Sequence, residues 1–218
     1  MSLPTHRAAM RASFEHEIVA AASDDLARHG SDNFSLRELA AKMKCAVGTL
    51  YLYFHDKQEL LHAVVEQSFR ELLVAVQAVP ASSDPLELLR ARFRAYLEFG
   101  LQHPSHYRCA FSLPSLARPG VRNQPHAAYD VLRENVRQCL AAGIFRRADV
   151  ELVSQTLWVA IHGLTSLLIS RPQFPWVPKD QLLDAMVDTL IAGLVSTRSR
   201  ARPVARPRGK TRRRRTRL

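Results

Sequence analysis

Two helix start signals stand twenty-one positions apart, and the interval between them leaves room for only two short helices and a turn. The first is Ser35 as N-cap with Glu38 three residues on, which is a capping box, and Phe34 placed to staple onto Leu39. The second is Asp56 with Glu59 at the same offset. A helix from Ser35 should end near Met43, and another should run from Ala46 or Val47 to Phe54, burying Leu50 and Phe54. Eight residues make about two turns, or roughly 12 Å, which suits a B-DNA major groove about 12 Å wide. This is the outline of a helix-turn-helix.

The rest of the chain also reads as helices. After an arm from Met1 to about Arg11, Phe14, Ile18, Ala21, Ala22 and Leu26 recur at helical spacing, predicting a helix from about Arg11 to His29 with Gly30 as its stop. From Lys57 an apolar stripe continues through Leu60, Val64, Phe69, Leu72 and Val76 to Pro80, long enough to join two domains. Asp84-Pro85-Leu86-Glu87 starts a helix that Pro104 ends. A short element over about Ser105 to Leu113, a Pro/Gly-containing loop to about Asn123, and a helix from Gln124 to Ala142 stopped by Gly143 come next. Two helices close the series, about Asp149 to Ser170 and Pro178 to Ser196. No strand pattern, internal repeat or Gly-rich phosphate loop interrupts them. The predicted fold is all-α with about nine helices: a three-helix unit over 1–56, a helical bundle over 57–197, and a disordered Arg-rich tail over 198–218.

Each of the last two helices is apolar on more than one face. In the first, Leu157, Ile161, Leu164 and Leu168 form one stripe and Trp158, His162, Thr165 and Ile169 another; in the last, Leu183, Val187, Leu190 and Leu194 sit beside Leu182, Met186 and Ile191. One stripe suffices for a surface helix. The second is met either by the chain's own core or by the same surface on another copy, which gives a two-fold dimer.

The net charge of +11 suggests a nucleic-acid partner until it is located. Eleven of the 31 Lys and Arg fall from Arg198 onward, leaving twenty against the chain's twenty Asp and Glu. Residues 1–57 carry seven of each sign, so a DNA footprint there depends on placement; the tail offers attraction without sequence preference. Lys42 and Lys44 are candidate extra phosphate contacts. Three widely spaced cysteines, Cys45, Cys109 and Cys139, form no CxxC and read as buried reduced thiols. The richest apolar stretch, Leu152 to Ile169, is broken by Ser154, Gln155, His162 and Thr165, and the N-terminus carries no leader pattern, so a cytoplasmic protein off the membrane is expected. No Ser/His/Asp spacing, paired carboxylates or HExxH suggests an enzyme, and Pro104 spoils His103 and His106 as a one-face metal pair; no cofactor or metal is implied. The aromatics Phe69, Phe93, Tyr96, Phe99, Tyr107, Phe111 and Trp158, with His162, are candidates to line an apolar ligand cavity or to be ordinary core.

FSLRELAAKM followed by GTLYLYFHDKQELLHAV, in an N-terminal three-helix unit with a helical remainder, resembles the TetR family of bacterial transcriptional regulators, over about Phe14 to Val65. Trp158 to Gly163 resembles the WHG motif of one type of C-terminal domain in that family. The resemblance implies a homodimer on a palindromic double-stranded DNA operator, in most members a repressor, released by a small hydrophobic effector. By position it implies backbone contacts from Ser35 and Arg37, phosphate and base contacts from Thr49, Tyr51 and Tyr53, a phosphate contact from Lys57, and close approach to DNA at Gly48. Where the family commonly has Gly, Ser, Lys and Arg, this chain has Lys44, Ala46, Val47 and Leu52. Val47 and Leu52 offer thymine-methyl contacts instead of the bidentate bonds that read guanine or adenine. A basic protein that binds nucleic acid without sequence preference is the alternative, and a helical-bundle metal or enzyme protein a more distant one.

Overall fold

The computed structural model describes residues 3–112, 124–146 and 148–194. Among them are nine helices and no strand: α1 (Leu3–Asn33), α2 (Leu36–Lys42), α3 (Val47–Tyr51), α4 (Lys57–Gln77), α5 (Pro85–Gln102), α6 (Pro104–Ser112), α7 (Gln124–Ala141), α8 (Val150–Ser170) and α9 (Lys179–Leu194). The loop expected before Asn123, the last residues of the final helix and the Arg-rich tail lie outside the described residues.

Two departures occur at the N-terminus. The expected arm is helical from Leu3, and the helix resumes for one turn after Gly30, whose φ of 76° breaks its path. Arg11 explains part of the extension: its guanidinium sits 5.2 Å from the Tyr53 ring centroid and donates to the Leu52 carbonyl at 3.0 Å. The start of α1 is thereby held against the end of α3.

Local start signals elsewhere behave as read. Asp56 accepts from the Glu59 N–H at 2.8 Å, Asp84 from Leu86 at 2.8 Å and Asp149 from Leu152 at 2.7 Å. Ser35 differs: its backbone is extended as an N-cap requires, yet its side chain makes no capping bond. Separately, the carbonyls of Ser31 and Phe34 just before α2 accept from the Lys57 ammonium at 2.8 Å each. At the end of α7, Gly143 has φ 69°, and the bonds Gly143 N–H to Leu140 and Ile144 N–H to Cys139 close the helix by the Schellman pattern.

Lys44, in the turn between α2 and α3, has φ 55°, in the left-handed region. That conformation costs a side-chain-bearing residue about 1–2 kcal/mol, against which glycine loses roughly 0.5–1 kcal/mol of unfolded-state entropy. Lys44→Gly should therefore raise the melting temperature by roughly 2–4 °C. A melting temperature unchanged or lower in calorimetry would show that the turn carries no such strain.

Two apolar clusters share α4. Its first half contributes Leu60, Leu61 and Val64 to a small core with Ile18, Ala22, Leu26, Leu39 and Leu50. Its second half contributes Phe69, Leu72 and Val76 to a larger one with Leu89, Phe93, Leu97, Val136, Leu157, Ile161 and Leu183. α6 packs on both α1 and α4. There the Cys109 thiol lies against the Ser23 carbonyl, and His106 pairs with Glu71, which holds that carboxyl below and that imidazole above their ordinary ranges.

α8 is long and apolar enough, by length and composition, to cross a membrane, despite the polar residues that interrupt it. In the fold it packs against α5, α7 and α9, with Leu157, Ile161 and Thr165 buried. Its second stripe turns mostly inward: Thr165 and Ile169 are buried, His162 is half-buried and Trp158 is 37% exposed. The apolar residues that stand exposed, Leu152, Val159 and Leu167, belong to neither stripe.

Candidate nucleic-acid interface and effector cavity

The helix-turn-helix is held from behind by Leu39, Ala40, Leu50 and Phe54, all buried. Ala46 caps α3 with its backbone alone, as an alanine must. The regular part of α3 is five residues, shorter than expected, but helix-like bonds continue to Phe54, whose N–H reaches the Leu50 carbonyl at 3.0 Å. Opposite the core, Arg37, Lys44, Gly48, Tyr51 and Leu52 face solvent, Leu52 being 70% exposed.

The remaining candidates are less free. Val47 and Tyr53 pack partly against the small core, and Tyr53 meets the Phe14 ring at a centroid distance of 5.3 Å. Ser35 and Thr49 are half-buried. Lys57 spends two of its three ammonium hydrogens on carbonyls, so one is left for a phosphate. Lys42 lies 4.0 Å from the Asp25 carboxylate. Arg11, absent from the sequence-based candidates, sits at the edge of this surface. Nothing in local spacing pairs it with Leu52, forty-one residues away.

A methyl group added at Gly48 would meet nothing within 4 Å. Gly48→Ala should thus leave the fold intact and stabilise it by up to about 1 kcal/mol, the usual gain from replacing helical glycine. Its effect on DNA should be opposite, weakening binding by about tenfold, or roughly 1.4 kcal/mol. Unchanged affinity in a mobility-shift titration would remove Gly48 from the contact surface.

The second site is a narrow cleft of about 50 Å³ between α4, α5, α6, α7 and α8. Of the aromatic candidates, Phe69, Phe93, Tyr96, Phe111 and Trp158 line it. Phe99, Tyr107 and His162 do not. Phe99 packs beside His103, and the other two form a layer behind the wall: the Tyr96 hydroxyl bonds that of Tyr107 at 3.2 Å, and Tyr107 bonds His162 Nδ1 at 2.7 Å. Burial pushes the Tyr96 hydroxyl up to about 12 and the His162 imidazole below its ordinary range, so both stay neutral at physiological pH. Arg92, Asn135 and Tyr129 are polar lining residues that the sequence did not single out. Burial likewise pushes the Cys109 thiol up to about 11, as expected for an inert core cysteine. Among the described residues no cluster of His, Cys, Asp and Glu is arranged to hold a metal ion.

A family model described as "Bacterial regulatory proteins, tetR family" matches residues 18–64, and one described as "Tetracyclin repressor-like, C-terminal domain" matches residues 89–193. The chain belongs to the TetR family. An uncharacterised HTH-type transcriptional regulator of Mycobacterium tuberculosis is 31% identical over 108 residues, which are 49% of this chain and 46% of that protein. The chain thus spans about half the length of the first curated relatives it matches. The HTH-type transcriptional activator FasR of Mycolicibacterium smegmatis is 24% identical over 181 residues, 82% of this chain and 78% of that one. Among solved structures, a protein of unknown function from Rhodococcus sp. RHA1 superimposes with a TM-score of 0.71 at 26% identity, covering 84% of this chain and 95% of that one. The TetR-family regulator PfmR from Thermus thermophilus gives 0.68 at 21%, covering 82% and 99%. At that identity the likeness is one of fold. The first of the two family models spans α2, α3 and the first turns of α4, and the exposed side chains described above lie within it.

Proposed function

We propose that the chain is a cytoplasmic transcriptional regulator that binds a palindromic operator as a homodimer and leaves it when a small apolar effector enters the cleft. The observation that carries the DNA-binding half is the outward face of α2 and α3, where Lys44, Gly48, Tyr51 and Leu52 stand clear of a core that fixes the opposite face. Arg37 and Lys44, which have no partner among the described residues, supply phosphate contacts, together with the remaining hydrogen of Lys57. Tyr51 and Leu52 reach the bases, and Leu52 reads by apolar contact.

The dimer rests on α8 and α9. Leu152, Val159 and Leu167 expose apolar surface on α8, and Leu182, Met186 and Leu190 are half-covered on α9. Among the described residues no neighbouring atom lies within 4 Å of a would-be methyl on Gly163 or Gly193, which leaves room for a second pair of helices to approach closely. Two copies related by a two-fold axis present two α3 helices to successive turns of DNA, so the operator mirrors the protein.

Repression is the proposed sign of regulation, with effector binding and operator binding opposed through one equilibrium. Selection of bound fragments from the host genome tests the reading as a whole. A shared palindrome is the expected result. Salt-labile binding to all fragments with no common site would replace it with a protein that binds nucleic acid without preference.

A further inference from the structure

Arg92 is unlike its neighbours on α5. Arg90 and Arg94 face α9 and pair with Asp188 and Asp184 at 2.5 and 3.0 Å. Arg92 instead forms part of the cleft wall and has no carboxylate within ion-pair distance. All twenty Asp and Glu of the chain are among the described residues, so no acidic side chain elsewhere is left to meet it. Its guanidinium is nevertheless oriented. Nη1 donates to Asn135 Oδ1 at 3.0 Å, and Asn135, fully buried, is fixed in turn by donating to the Pro85 carbonyl at 2.8 Å.

That bond uses one edge of the guanidinium. The other edge carries the parallel Nε–H and Nη2–H, and Nε is buried without an acceptor. Burial lowers the pKa of Arg92, yet an arginine stays charged in any protein. A side-on pair of N–H donors matches the two oxygens of a carboxylate, which answers both the charge and the open hydrogen bonds. Among the described residues the lining holds no second cation, and its walls are mostly aromatic and aliphatic.

We infer that the cleft takes an amphiphilic monocarboxylic acid, its carboxylate held side-on by Arg92 and its apolar body lying among Phe93, Phe111, Leu132 and Trp158. This rests on the reading of the cleft as the effector site and adds the chemical class of the effector. Asn135 acts as a positioning residue that sets the guanidinium plane.

The test uses the full chain and two matched pairs of probes, decanoate with 1-decanol and 1-naphthoate with naphthalene, followed by titration calorimetry at neutral pH. Each acid should bind at least about tenfold more tightly than its uncharged partner. Arg92→Met should abolish that preference while leaving the uncharged probes as tight or tighter. Should this variant fail to fold, Arg92→Gln, neutral and still able to bond Asn135, reads the same quantity. Uncharged probes binding as well as the acids, or an acid preference that survives loss of Arg92, would overturn the carboxylate and leave the cleft as an effector site. Binding of none of the four would overturn both.

Discussion

Val159→Arg is expected to convert the proposed dimer into a folded monomer that no longer holds a palindromic site. Val159 is 68% exposed in the single chain, so a charge there touches no core, and surface changes of this kind stay within about 0.5 kcal/mol of the parent stability. Across a two-fold interface the same substitution is present twice. Two guanidinium groups then meet where two apolar side chains met, and each would be buried unpaired. Operator affinity should fall by about a hundredfold or more, because the second half-site is no longer bound from a tethered, high effective concentration. Val74→Arg is the control: Val74 is 61% exposed but lies on α4, away from α8 and α9, and its replacement should leave both assembly and affinity unchanged. Sedimentation of the two variants decides the matter. A Val159→Arg protein that remains dimeric would move the interface elsewhere.

What could be read from the sequence divides by the range of the interaction. Asp56, Asp84 and Asp149 announce their helices because a cap bonds within three residues of itself, and those bonds are present. Gly143 stops α7 for the same local reason. Ser35 carries an equally complete pattern, but its capping bond is not made, and the carbonyls beside it are taken by Lys57 from more than twenty residues away. Arg11 with Leu52, and Arg92 with Asn135, are likewise contacts whose partners no spacing rule can supply. Arg92 does leave one trace. It stands three residues after Leu89 and four before Tyr96, on the apolar stripe of α5, where Arg90 and Arg94 do not. The helical period places Trp158 and His162 on one stripe of α8, but it does not say which of them reaches the cleft; Trp158 does, and His162 stops behind it at Tyr107.

A close approach between α5 and α8 supplies the other large effect. A Cβ placed on Gly100 would lie 2.3 Å from Cγ2 of Thr165 and 3.1 Å from the Tyr107 ring. Neither neighbour can yield at little cost. Thr165 is fully buried and its hydroxyl bonds the Ile161 carbonyl at 2.8 Å, so turning its side chain breaks that bond. Tyr107 is buried and tied at its hydroxyl to Tyr96 and His162. Gly100→Ala must therefore push α5 and α8 apart, at a cost of about 1–3 kcal/mol. For a chain of this size that is a fall of roughly 3–10 °C in melting temperature. The same displacement reaches the cleft, because Phe93 and Tyr96 on α5 face Trp158 and Ile161 on α8 across it. Adding Thr165→Ser removes the one carbon that clashes and keeps the hydroxyl. The double variant should regain at least half of the lost stability, a coupling that two independent substitutions would not show. Purely additive losses in the double variant would mean that the strain falls on Tyr107 instead, and that the wall of the cleft, not the spacing of the helices, is what Gly100 protects.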